Sequence, residues 1–230
     1  MSVEKRTGRF DSPHPPRLPV RGFIFDLDGT LVDSRLDFDA ICREMGLPEG
    51  EPILEALERM EPTHARHCYR ILDRYEREGA ERAVLLPGVP ELLEHLNRLR
   101  LRQAVVTRNS RAMAERMLSR CGLDFDPVVT RDDGPVKPDP WAIHCICRPW
   151  GIPPQCVVVI GDFRFDIEAG RRAGAITVFL GGRRAVERQP GAEQADFRFD
   201  SLQQADRLLR TLGLPIIPYH PSRESTRNFR

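Results

Sequence analysis

Residues 23–33 read Phe-Ile-Phe-Asp-Leu-Asp-Gly-Thr-Leu-Val-Asp, a short apolar run that stops at two aspartates one residue apart. An apolar run without strict alternation suits a strand covered on both faces, and so a parallel sheet with helices on either side. The acids then fall at the strand's carboxyl end, where open α/β sheets bind ligands. Two carboxylates that close repel each other unless a cation lies between them or one keeps its proton. Taken alone, Asp26-Leu27-Asp28 also fits an ordinary strand exit with acids in a turn. The rest of the chain has to decide.

Residues 34 to about 86 carry helical periodicity only. Phe38, Ile41 and Met45 share one face up to Gly46; Ile53, Leu57 and Met60 share another. A long helix follows Pro62, with Ala65, Cys68, Ile71, Leu72 and Tyr75 on one stripe, and is expected to end at Gly79. With no strand to cover, these three helices predict an insert that folds on itself over 34–86. From Leu85-Leu86-Pro87-Gly88 the pattern becomes strand–helix alternation. Strands are expected at Ala104–Thr107, Val128–Thr130, Val157–Ile160, Ile176–Leu180 and Phe197–Phe199, the fourth of the chain central and the last at an edge. Ser110 is expected to N-cap the helix that ends near Cys121, and Ser201 with Gln204 to form a capping box for the final helix. The prediction is a Rossmann-like, doubly wound parallel sheet, built from residues 20–33 and 87–213. The flanking segments 1–19 and 214–230 are polar and basic, the first rich in proline, and read as flexible tails.

Polar residues gather at the strand ends: Asp26 and Asp28 at the first, Thr107 at the second, Lys137 in the loop after the third, Asp162 at the fourth. The carboxyl ends of parallel strands lie along one rim, so these groups converge without being neighbours in sequence. Carboxylates there suit Mg²⁺, which takes oxygen ligands. Thr107, the backbone N–H groups of Arg108 and Asn109, and Lys137 suit an anion held opposite.

Asp26-Leu27-Asp28-Gly29-Thr30-Leu31-Val32-Asp33-Ser34, Thr107, Val136-Lys137-Pro138-Asp139-Pro140 and Gly161-Asp162-Phe163-Arg164-Phe165-Asp166 resemble, in order, the four motifs of the haloacid dehalogenase superfamily. The helical insert resembles the small cap of its phosphoglycolate-phosphatase-like branch. The resemblance spans about residues 20–213. It implies that Asp26 attacks phosphorus and forms a phosphoaspartyl intermediate, while Asp28 protonates the leaving oxygen and then activates water. It implies a Mg²⁺ held by Asp26, the backbone carbonyl of Asp28, and Asp162. Thr107, Arg108, Asn109 and Lys137 would bind the phosphate, Lys137 also orienting Asp26. Asp166 would stand behind them, orienting Lys137 or a metal-bound water. Arg108-Asn109 departs from the family's more usual Asn after the threonine; Arg108 either binds a second anionic group of the substrate or is a solvated arginine. Arg43, His64, His67 and Arg70 on the insert are candidates for facing the site, against the plainer reading of a solvated helix surface.

The function expected on this basis is a Mg²⁺-dependent phosphatase for a small phosphorylated metabolite, of phosphoglycolate or sugar-phosphate type. A phosphomutase uses the same two aspartates and is the main alternative. A dehalogenase is disfavoured by Asp28, since halide leaves without a proton, and a non-catalytic binding module by the complete motif set. A formal charge of +1 gives no field for nucleic acid or an anionic membrane. No apolar run approaches the ~18–20 residues that cross a bilayer. The N-terminus lacks a signal-peptide core, and the six scattered cysteines suit a reducing compartment. The expectation is a cytoplasmic monomer or homodimer, with weak organelle targeting by the basic N-terminal segment left open.

Overall fold

The computed structural model describes residues 18–181 and 191–217. The two basic tails fall largely outside them. In chain order the elements are β1 (Gly22–Phe25), β2 (Val32–Asp33), α1 (Phe38–Met45), α2 (Ile53–Arg59), α3 (Pro62–Arg82), β3 (Val84–Leu85), α4 (Val89–Arg98) and β4 (Arg102–Val106). There follow α5 (Arg111–Arg120), β5 (Val128–Val129), α6 (Trp141–Trp150), β6 (Val157–Gly161), α7 (Arg164–Ala173), β7 (Ile176–Leu180), β8 (Phe197–Phe199) and α8 (Ala205–Thr211). Six strands form one parallel sheet in the order β5-β4-β1-β6-β7-β8. The order reverses direction at β1, with β4 on one side and β6 on the other, and crevices for ligands open at such a switch point.

Why β1 lacks alternation is visible in its packing. Phe23 and Phe25 point to one face and join Val105, Ile160 and Val178 beneath α4, α5 and α8; Ile24 points to the other and joins Val106, Val159, Ile143 and Ile146. Phe23 and Phe25 are completely buried, each burial worth about 1.5–3 kcal/mol. As expected, β6 lies inside the sheet and β8 at its edge.

Helices α1, α2 and α3 bury a cluster of their own, with Ile41, Met45, Leu57, Cys68, Ile71 and Leu72 at its centre. A two-residue antiparallel pair, β2 with β3, closes the base of this insert. That pair went unforeseen because two residues carry no periodicity. Helix α3 does not stop at Gly79 but runs to Arg82. Gly79 is an approach site: a Cβ there would come within 3.0 Å of Leu36 and 3.3 Å of Ser34.

Neither expected serine cap forms. Ser110 occupies the N-cap position of α5 without a side-chain bond, and Asp132 accepts the Arg111 N–H at 2.8 Å in its place. The Ser201 side chain makes no cap bond, and Gln204 accepts instead from the Asp200 N–H. Five of the six cysteines are buried and all six are free thiols. Among the described residues, no helix is long and apolar enough to cross a membrane.

Candidate active site

Asp26 is the first residue beyond β1, and its N–H still bonds to the Ile160 carbonyl at 2.9 Å, which fixes it to the sheet rim. Thr107 lies one residue beyond β4 and is tied to Val129 in the same way. Lys137 reaches the same point from the loop before α6. Its ammonium donates to Asp26 Oδ1 at 2.6 Å, Asp166 Oδ1 at 2.5 Å and the Val106 carbonyl at 2.8 Å. An ammonium has three donors, so all are taken, and in this arrangement none is left for a phosphate. The geometry therefore supports Lys137 as the group that orients Asp26. Asp166 in turn is held at both oxygens, the second accepting the Phe163 N–H at 3.0 Å.

Asp26, Asp162 and Asp166 each bring one carboxylate oxygen within 4.8 Å of the others. The backbone is shaped around them. Gly29 adopts φ +93, and a Cβ at that position would fall 2.3 Å from Asp162 Oδ2. A Cβ on Gly161 would fall 2.1 Å from the Asp166 carboxyl carbon. Three carboxylates around one buried lysine leave the rim negative, a donor set suited to a hard divalent cation. Burial pushes the Asp26 carboxyl up to about 7, with Lys137 pulling against it and Asp166 and Asp28 adding to it. Burial would lower the Lys137 ammonium, but Asp166 and Asp26 outweigh it, so Lys137 stays a cation.

The Asp28 carboxylate accepts the Ser34 N–H at 2.9 Å and the Ser34 hydroxyl at 2.5 Å. Ser34 is buried where the chain enters the insert, a contact that sequence spacing alone did not single out. The Thr107 hydroxyl oxygen accepts from both the backbone N–H and the side-chain amide of Asn109, at 3.1 and 3.0 Å. Its own hydrogen thus remains to donate outward. The Asn109 N–H, expected to face an anion, is turned inward by this bond.

Above the rim opens a cleft of about 970 Å³, with the insert as its far wall. The four insert residues proposed from sequence do not line it. Arg43 pairs with Glu49, and His64, His67 and Arg70 are exposed elsewhere. The insert contributes Asp37, Asp39, Glu51 and Glu76 among apolar side chains instead. Among the ion pairs that join the insert to the α/β core, two are two-pronged, and Arg131–Asp73 and Arg116–Glu81 are longer single contacts at 3.6 and 3.5 Å. Arg108 makes a two-pronged bond to Glu55 at 2.9 and 2.6 Å, and Arg131 does the same to Glu76 at 2.5 and 3.0 Å. Neither partner acid was identifiable from sequence, because each contact spans more than fifty residues.

Fold and site together define a doubly wound α/β enzyme whose carboxylates converge at the carboxyl rim of its sheet beneath a helical insert. Comparison with known proteins gives the family. Residues 20–174 match the family model described as haloacid dehalogenase-like hydrolase, and the chain belongs to that family. It is 32% identical over 207 residues to a haloacid dehalogenase-like hydrolase domain-containing protein of Arabidopsis thaliana, covering 84% of each chain. It is 31% identical over 191 residues to the phosphoglycolate phosphatase of Chromobacterium violaceum, covering 70% of this chain and 85% of that one. Among solved structures, a hydrolase from Pseudomonas syringae aligns with TM-score 0.69 at 26% identity, over 83% of this chain and 98% of the other. The chain is thus a hydrolase of the phosphatase group within this family.

Proposed function

We propose that the protein is a Mg²⁺-dependent phosphatase that hydrolyses a small phosphate monoester through a phosphoaspartyl intermediate. The observation that carries the reading is Asp26: a carboxylate at the sheet rim, aimed by Lys137 at 2.6 Å and grouped with the oxygens of Asp162 and Asp166 beneath an open cleft. Asp26, Asp162 and the backbone carbonyl of Asp28 would hold the cation. Bound there, Mg²⁺ favours the ionised form of Asp26 and offsets its repulsion from the phosphate dianion.

The chain's own groups divide the remaining work. One Asp26 oxygen attacks phosphorus while the ester P–O bond breaks, and Asp28 gives its proton to the departing alkoxide. Water then attacks the acyl phosphate, yielding its proton to Asp28, and Asp26 leaves as a carboxylate. The Thr107 hydroxyl donates to a phosphate oxygen, its acceptor sites being filled by Asn109. Lys137 and Asp166 keep Asp26 in one rotamer. Asp26 has to be ionised while Asp28 carries a proton, and the Lys137 ammonium at 2.6 Å favours the ionised form of Asp26.

The test is release of inorganic phosphate from p-nitrophenyl phosphate with and without Mg²⁺, for the parent protein and Asp26→Asn. Turnover that needs Mg²⁺ and vanishes in the variant is expected. An active Asp26→Asn protein sinks the mechanism.

A further inference from the structure

We infer that Glu55 is a specificity-determining residue, and that by neutralising the Arg108 guanidinium it makes this phosphatase select esters of uncharged alcohols over esters whose leaving group carries a carboxylate. This rests on the phosphatase reading and names the substrate class within it.

Arg108 directly follows Thr107 and lines the cleft, so it is the cation best placed to meet the far end of a substrate. Three of its five N–H donors are already committed. Glu55 from α2 takes both prongs of the fork, and the Lys137 carbonyl accepts from the same guanidinium. The flat face lies over the Phe165 ring at 4.6 Å. Planar two-pronged recognition of a carboxylate is what an arginine is best at, and here the chain supplies that carboxylate itself. Burial would raise the Glu55 carboxyl, but Arg108 outweighs it, helped by Arg164, and Glu55 is held below the ordinary range as an anion.

A substrate carboxylate entering this corner would either displace an equivalent one or take the remaining Nε–Nη2 edge of a guanidinium that Glu55 has already neutralised, and in both cases would sit beside the Glu55 carboxylate. Like charges that close disfavour each other. The rest of the insert wall offers no rescue. Among the described lining residues the insert presents Asp37, Asp39, Glu51 and Glu76, and no lysine, arginine or histidine. Glu51 and Glu76 are paired to Arg59 and Arg131, so Asp37, Asp39 and the Glu55 carboxylate are what repel an anionic tail, with Arg164 the opposing cation on the sheet side, while a neutral polyol or ring meets hydrogen-bond acceptors and the apolar surface of Phe163 and Phe165.

The experiment compares kcat/KM for matched esters differing in one group: 2-hydroxyethyl phosphate against 2-phosphoglycolate, and sn-glycerol 3-phosphate against 3-phosphoglycerate. The parent protein is expected to favour the neutral member of each pair at least tenfold. Glu55→Gln frees Arg108 and should narrow that ratio by tenfold or more, chiefly through a lower KM for the carboxylate ester. In Glu55→Gln/Arg108→Gln the gain should disappear, which separates a released cation from a merely loosened insert. A parent protein that favours the carboxylate esters, a ratio unmoved by Glu55→Gln, or a gain that survives loss of Arg108 overturns the inference. Turnover of p-nitrophenyl phosphate in the same preparations tells the two failures apart. If it proceeds while the ratios disobey, only the specificity argument falls; if no ester is hydrolysed, the phosphatase reading falls and takes this one with it.

Discussion

At the scale of single residues, Asp26 and Asp28 sit two positions apart and are given opposite neighbours. Asp26 faces the Lys137 ammonium, whereas Asp28 accepts two bonds from Ser34. The proposed proton carrier can be tested without disturbing shape. Asp28→Asn keeps an oxygen to accept from Ser34, so folding should hold, with a melting temperature close to that of the parent. The rate on a small alkyl phosphate should fall about 10²–10⁴-fold, the usual contribution of general acid–base catalysis. With p-nitrophenyl phosphate the loss should be smaller, since that leaving group departs with little help from a proton. An equal loss on both substrates would remove Asp28 from the role of acid. Much of this centre was legible in the sequence, because a parallel sheet gathers whatever follows each strand. Asp26, Thr107, Lys137 and Asp162 needed only that rule. The saturation of Lys137 by three acceptors did not follow from it, as it depends on rotamers and on a main-chain carbonyl.

At the scale of elements, the loop between β5 and α6 shows how a helix start can be stabilised from a distance. Asp133 accepts the Thr130 N–H at 2.7 Å and the Thr130 hydroxyl at 2.8 Å, and pairs with Arg111 at the start of α5. Arg111, followed by the Thr130 bonds, holds the Asp133 carboxyl below its ordinary value. A depressed carboxylate adds stability above its unfolded pKa of about 3.9 and loses it as pH falls through the folded value. Discounted for solvent screening of an exposed pair, Asp133→Asn should therefore cost about 0.5–1 kcal/mol at pH 7, and the gap to the parent should close as pH drops below 4. Urea midpoints at pH 7 and pH 3 check this; a gap independent of pH would deny the ion pair its part. The same loop explains where reading by local pattern stopped. Ser110 stands at the right position to cap α5, yet Asp132 supplies the bond from twenty-one residues away. Gly79 looks like a helix terminus to a propensity rule, but it is spent on close packing against Leu36 and Ser34. Caps and small residues are chosen by tertiary neighbours, which spacing along the chain does not record.

At the scale of the whole molecule, the insert has an apolar cluster separate from those of the sheet, so its position over the rim depends on what crosses between them. Arg131 and Glu76 form the most buried of the crossing pairs, with side chains 11% and 5% exposed. Burial raises the Glu76 carboxyl above its ordinary value despite the opposing pull of Arg131. Such a pair contributes little against a well-packed apolar substitute, but removing one partner strands the other charge in a dry place. Arg131→Met should accordingly lower unfolding free energy by about 3–5 kcal/mol, read from denaturant midpoints near neutral pH. Glu76→Leu combined with Arg131→Met should recover most of that loss, because no uncompensated charge remains. The recovered protein then reports on function. If the pair serves only to hold the insert down, apolar contact can replace it and turnover returns with stability. If turnover stays low in a double variant of parental stability, the Arg131 bond to the Arg108 carbonyl is what matters, since it links this pair to the residue beside Thr107. In that outcome the insert is coupled to the phosphate site through the main chain as well as through its roof.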